Sequence, residues 1–246
     1  MISKDLKRYS KAFLQTQKGK SVKTYAGYQD GLEPLLLFFE NYYEDDGPSA
    51  TLQNIEPSDI DHVLGYFVIR KFMTGADFRV RTARSIKAFF TYLAAVGVYD
   101  DLRASEIVAI ARHYGSQYVR LDKLETSLWD ETEGEIDRLM KLPKNERERM
   151  VARLRVAAKD AVMKEAGYVK VEKIDGNFVY GHLMDDQAAE IGPIRLGEKS
   201  LALVRVGDII NMITLRQMPK DTAWEIVELG YVYPRPYENA LSAKSQ

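Results

Sequence analysis

The chain has 246 residues and a mass of 28.1 kDa, enough for one large domain or two small ones, and its 46% apolar and 11% aromatic content supplies a packed core. Cysteine is absent and only three histidines are present, which excludes disulfides, thiolate nucleophiles and Cys-based zinc or iron–sulfur sites. The formal net charge of −1 argues, as an average, against a polyanionic partner, but it hides a segregation of charge along the chain.

Residues 1–25 carry Lys4, Lys7, Arg8, Lys11, Lys18, Lys20 and Lys23 against a lone acid, Asp5. Ser21 suits the cap of a helix in which Tyr25, Tyr28, Leu32, Leu35, Leu36, Phe39 and Tyr43 recur at three- and four-residue spacing, with Gly47-Pro48 as its stop. An acidic loop, Glu40 to Asp46, follows the stripe. Pro57-Ser58-Asp59 announces a second helix with Ile60, Val63, Leu64 and Phe67 on one side, ended by Thr74-Gly75. A third runs from about Asp77 to Ala95, with Ala83, Ile86, Phe89, Phe90 and Leu93 on one face and Gly97 closing it. At 100° per residue, Arg81, Arg84, Ser85, Lys87 and Thr91 gather on the opposite face. Arg70, Lys71, Arg79, Arg81, Arg84 and Lys87 face only Asp77 in this stretch, so the basic residues are sorted rather than scattered.

From Leu102 to Ala166 the period stays helical while the charges balance, as in a connector. Pro143 divides it, and Asn145 caps a helix whose stripe is Met150, Leu154, Ala158, Ala161 and Val162. After Gly167 the period becomes alternating. Tyr168–Ile174 and Asn177–Tyr180 flank Asp175-Gly176, a hairpin signal. Further strands are expected at Leu201–Val206, Ile209–Leu215 and Trp224–Val232, with turns at Gly207-Asp208 and Pro219-Lys220-Asp221 and a turn-rich link around Gly192-Pro193 and Gly197-Glu198. The expected architecture has three parts: a helical bundle (residues 1–100), a helical connector (101–166) and a small C-terminal domain (167–246) that is barrel-like or a curved antiparallel sheet.

The run Ser21-Val-Lys-Thr-Tyr-Ala-Gly-Tyr28 leading into Leu35–Phe39, the helix start Pro57-Ser-Asp-Ile60, and Arg81-Thr-Ala-Arg-Ser-Ile-Lys-Ala-Phe-Phe-Thr-Tyr-Leu93 ending in Gly97 resemble the core-binding domain of tyrosine recombinases and phage-type integrases. The resemblance covers about the first hundred residues. It implies a bundle that clamps one face of duplex DNA through phosphate and groove contacts, carried by Lys20, Lys23 and Thr24 on the first matched helix and Arg81, Arg84 and Lys87 on the last. Lys18 and Arg79 belong to the same two clusters and complete the candidate set. Extended cations on rigid helices reach phosphates, and arginine adds bidentate geometry; Arg84 is the candidate for a base edge.

The catalytic motifs of that family are not recognised in this sequence. The family's His-x-x-Arg motif has no counterpart, because the histidines read His62-Val-Leu-Gly, His113-Tyr-Gly-Ser and His182-Leu-Met-Asp. No metal-ligand spacing, phosphate loop or nucleophile elbow is present, Asp185-Asp186 reads as a solvated turn, and Tyr231, Tyr233 and Tyr237 lack an activating base. No cofactor and no catalytic role are expected. The wholly apolar stretch Leu35–Phe39, of five residues, is far short of a membrane span, and the first residues lack a signal-peptide core, so a cytoplasmic location is expected. The first functional expectation is a non-catalytic DNA-binding protein, an accessory or architectural factor whose β module serves assembly, self-association or a protein partner. The alternative is a protein-interaction factor without nucleic acid. What separates them is whether Lys18–Lys23 and Arg81–Lys87 share one surface, since a contiguous positive patch implies a polyanion.

Overall fold

The computed structural model describes residues 2–42, 51–72, 74–132, 139–157, 159–184 and 189–237. Helices make up the first part of the chain and a five-stranded sheet the last. The chain divides into two compact units, residues 1–119 with the segment from Pro236, and residues 120–235. The expected connector is therefore shared between the units, and the division falls at 119 rather than at 100 and 166.

The first unit begins with α1 (Ile2–Thr16), which the lysine-rich sequence did not announce; Ile2, Leu6, Ser10 and Phe13 are its buried side. Ser21 caps α2 (Val22–Asn41) by accepting a hydrogen bond from the Thr24 amide at 3.2 Å. Leu32, Leu35, Phe38 and Phe39 of α2 are buried. The expected stop at Gly47-Pro48, with Tyr43 and most of the acidic loop, lies outside the described residues. Next come α3 (Pro57–His62), a π-helical turn (Val63–Phe67) and α4 (Val68–Lys71), and every apolar residue of the predicted stripe is buried. The Glu56 amide donates to the Asp59 carboxylate at 2.7 Å and fixes the start of α3. After Gly75, α5 (Ala76–Ala95) buries Ala83, Ile86, Phe89, Phe90 and Leu93 as its spacing predicts, and Gly97 adopts φ +69°.

Phe13 is the hub of the core, with its ring 5.3 Å from Tyr28, 5.8 Å from Phe89 and 5.6 Å from Tyr92. The first part of α6 (Asp101–Thr132) completes the unit with buried Ile107, Ile110, Tyr114 and Tyr118. Tyr118 donates to the Leu64 carbonyl at 2.7 Å, Tyr114 to Asp61 at 2.7 Å, and Tyr99 to the Ile55 carbonyl at 2.5 Å. Burial pushes all three phenols well above their ordinary range, because a phenolate loses its hydration there.

The second unit holds the rest of α6, α7 (Lys144–Ala157), α8 (Glu198–Leu203) and strands β1 (Val162–Asp175), β2 (Phe178–Leu183), β3 (Glu190–Arg195), β4 (Ile209–Gln217) and β5 (Trp224–Tyr233). The strands pair in the order β1-β2-β3-β5-β4, and β4 also pairs with β1, so the sheet curves round on itself as expected of a barrel-like module. It is a mixed sheet rather than an antiparallel one, because β3 meets β5 in parallel through a single bridge, Ile194 with Trp224. Its core is Val169, Val171, Val179, Ile194, Ile210, Met212, Leu215 and Val232. The Asp175-Gly176 hairpin forms as predicted, with Asp175 opposite Phe178.

Three local expectations are overturned. Leu201–Val206 is not a strand, because α8 covers its first half; Gly197 opens that helix and buried Ser200 donates to Glu131 at 2.6 Å. Gly192-Pro193 lies within a strand, β3, whose pairing with β2 shifts register between Val179 and Gly181. The stripe continued to Val162 fails too: α7 ends at Ala157, Met150 is exposed, and Val162 begins β1. The unit is pinned by Arg120, whose guanidinium grips fully buried Asp208 at 2.6 and 2.8 Å while also donating to the Leu203 carbonyl.

Candidate nucleic-acid interface

The site starts from how closely two helices approach. Gly27 and Gly31 lie one turn apart on α2, and the side facing α5 has no Cβ there. A Cβ on Gly31 would stand 2.8 Å from the Arg81 carbonyl oxygen, and one on Gly27 would stand 3.6 Å from the Arg81 side chain. Ser85 fills the seam, fully buried, and donates to the Gly27 carbonyl at 3.3 Å. The two helices are thereby held with the start of α2 beside the first half of α5.

This juxtaposition opens a cleft of about 530 Å³ lined by Lys20, Lys23, Thr24, Tyr28, Asp30, Arg81, Arg84 and Ser85, with Ala26 and Gly27. Two basic clusters separated by some sixty residues of sequence thus face one cavity. Four cations stand against one carboxylate, Asp30, which pairs with Arg81 at 3.3 Å. That pair is exposed on both sides and therefore weak. Lys20 places its ammonium 5.2 Å from the Tyr28 ring centre. The capped start of α2 adds the Thr24 hydroxyl and the positive end of a 20-residue helix to the same wall. Such an arrangement holds an anion by charge-assisted hydrogen bonds from several directions, which is the chemistry of a backbone phosphate.

Of the predicted residues, Lys20, Lys23, Thr24, Arg81 and Arg84 come together. Lys18 is exposed in the turn before α2 and Lys87 is half-buried on α5, both outside the lining. Arg79 is a correction: at 4% exposure it faces the interior, where its positive charge acts on the Tyr118 phenol, so it is not placed to meet a phosphate. Ser85 is another, because the side of α5 assigned to solvent is turned there onto α2. Asp30, Tyr28 and the two glycines were not singled out in the sequence. A small residue at each of two positions one turn apart is the signal that marks such a helix contact.

Other candidate chemistry is dispersed. Among the described residues no group of three His, Asp or Glu side chains is arranged to hold a metal ion. His62 is exposed beside Phe38 and Tyr66, His113 packs by Tyr114 and Tyr237, and His182 meets Glu172 at 2.8 Å. Asp185-Asp186 lies outside the described residues. Tyr233 is buried, and the Tyr237 amide donates to the Tyr114 hydroxyl. A cleft of about 470 Å³ in the second unit is lined by Arg195, Arg216, Glu225 and Glu131 over Leu128, Leu196 and Ile226. There Arg195 is tied to Asp221 at 2.8 Å, and Arg216 to Glu225 at 3.0 Å. Among the described residues no helix is long and apolar enough to cross a membrane.

Comparison with family models, with curated proteins and with solved structures returned no match to the chain.

Proposed function

We propose that the protein is a non-catalytic DNA-binding factor of the cytoplasm, gripping the backbone of duplex DNA in the cleft between α2 and α5. The observation that carries this reading is the meeting of Lys20, Lys23, Arg81 and Arg84 in one cavity of a chain whose net charge is −1. Concentrating cations at one place raises the local potential and needs a polyanion to balance it. Arginine and lysine reach phosphate oxygens, and the α2 N-terminus with Thr24 adds donors beneath them. Contacts of this kind give affinity without sequence preference.

The resemblance of residues 1–100 to recombinase core-binding domains agrees with that role, and the second unit, with its curved sheet, is assigned to assembly or a protein partner. The near-neutral charge favours the second reading, a protein-interaction factor with no nucleic acid. Charge reversal separates the two. Arg81→Glu with Arg84→Glu abolishes binding of a fluorescent duplex of random sequence while the circular dichroism stays native. Full retention of binding by the folded double variant would sink the assignment of this cleft.

A further inference from the structure

A second surface of the helical unit carries aromatic rings and cations that the cleft does not use. Tyr42, 50% exposed at the end of α2, meets Phe67 at 5.1 Å; Phe67 meets Phe38 at 5.2 Å, Phe38 meets His62 at 5.6 Å, and His62 meets Tyr66 at 5.3 Å. This unbroken chain of rings reaches the surface at both ends. A cation stands at each end: the Lys71 ammonium is 5.0 Å from the Tyr42 ring centre, and the Arg70 guanidinium lies 5.5 Å over Tyr66 and donates to its hydroxyl. Arg70, Lys71 and His62 are all exposed. The backbone beneath is the π-helical turn Val63–Phe67, an irregularity frequent at functional sites.

We infer that this patch binds the unpaired bases of a nucleic-acid strand. Bases of any sequence stack on tyrosine and histidine rings, and flanking cations follow the phosphates. An exposed cation–π contact is weak. A base can therefore displace the Lys71 ammonium from the Tyr42 ring, and the ammonium then meets the adjoining phosphate. Position along α2 supports the same class of ligand. Thr24 in the cleft and Tyr42 in the patch are 18 residues apart, so they lie on the same side of the helix at about five turns, or roughly 27 Å. That separation is about eight nucleotides at roughly 3.4 Å each. A duplex engaged by the cleft and continuing as a single strand meets both sites.

The test uses the full chain and three labelled probes: an oligothymidine of twenty nucleotides, a blunt duplex, and the same duplex with a ten-nucleotide thymidine overhang. The wild type binds oligothymidine, and the overhang tightens duplex binding severalfold. Tyr42→Ala, whose side chain is half-exposed, weakens oligothymidine binding about tenfold, the size of one lost base stack, and cancels the gain from the overhang. Arg70→Glu with Lys71→Glu does the same without removing a ring. Both leave blunt-duplex binding unchanged, and Arg81→Glu with Arg84→Glu abolishes blunt-duplex binding while oligothymidine binding, though weakened, stays dependent on Tyr42, so failure of the cleft and failure of the patch give different patterns. Absence of oligothymidine binding, or equal binding by wild type and both folded patch variants, overturns the inference.

Discussion

Two glycines one turn apart on α2 have opposite roles, and alanine at each separates them. At Gly31 a new Cβ lies 2.8 Å from the Arg81 carbonyl oxygen and 2.9 Å from the Ser85 Cβ. The Ser85 hydroxyl lies nearer still and can rotate aside, but the Arg81 carbonyl and the Ser85 Cβ cannot, so α2 and α5 must part. Overpacking costs ~1–3 kcal/mol, against rigid backbone the upper part of that range, about 2–3 kcal/mol, and the higher helix propensity of alanine returns about 1 kcal/mol. Gly31→Ala therefore destabilises by about 1–2 kcal/mol net and lowers the melting temperature by roughly 4–10 °C. At Gly27 the nearest atoms are Arg81 Cδ at 3.6 Å and Cγ at 3.9 Å, ordinary contact with a side chain. Gly27→Ala keeps the propensity gain and stabilises by about 0.5–1 kcal/mol. Thermal and urea melts followed by helical circular dichroism measure both. Because the same contact aligns Lys20 and Lys23 with Arg81 and Arg84, Gly31→Ala also weakens duplex binding, whereas Gly27→Ala preserves it. If Gly31→Ala is as stable as the wild type, or Gly27→Ala is the less stable of the two, the close approach of α2 and α5 is refuted.

The remaining predictions concern the rest of the chain. Asp208→Ala strips the buried carboxylate from Arg120 and costs the second unit about 3–5 kcal/mol in urea melts, since the charge of a buried guanidinium loses its counter-ion. Tyr99, Tyr114 and Tyr118 have phenols raised in the folded state, so their contribution to stability is complete below the unfolded phenol value of about 10 and is lost as the pH rises through and beyond it. Phenolate absorbance should show these three ionising only as the unit unfolds in alkali; free titration of all fifteen tyrosines before the loss of helix contradicts it. Tyr118→Phe removes part of that alkaline loss and costs about 1 kcal/mol at neutral pH for the hydrogen bond to Leu64. Ser21→Ala removes the cap of α2 and costs ~1 kcal/mol, while Ser21→Asp retains it, as thermal melts will show.

The elements legible in the sequence were those whose apolar period is long and clean. The stripes beginning at Ile60 and at Ala83 are buried where their spacing puts them, that of α2 is buried at Leu32, Leu35 and Phe39 but only half-buried at Tyr25, Tyr28 and Leu36, and Asp175-Gly176 fixes its hairpin through local turn chemistry. Elements decided by tertiary partners were not legible. In α1 the apolar positions Ile2, Leu6 and Phe13 are diluted by lysines, so charge concealed the period. Leu201–Val206 has the composition of a strand, but the bond from Ser200 to Glu131 and the opening at Gly197 turn its first half helical. Gly192-Pro193 reads as a turn, yet the register shift opposite lets β3 carry it. Within the site, each basic cluster is plain in the sequence, and their meeting is not. It depends on Gly31 admitting α5, in a contact that also turns Ser85 inward, while Arg79 lies on the buried side of α5.

The central claim is that the α2–α5 cleft neutralises backbone phosphates, and the salt dependence of duplex binding by the whole protein tests it most directly. If Lys20, Lys23, Arg81 and Arg84 each neutralise one phosphate, the slope of log K against log salt is about −3.6, and affinity falls roughly a hundredfold between 50 and 200 mM salt. Arg81→Gln with Arg84→Gln then reduces the slope by about 1.8. Salt-independent binding, a slope unmoved by that substitution, or no duplex binding at the lower salt concentration contradicts the account.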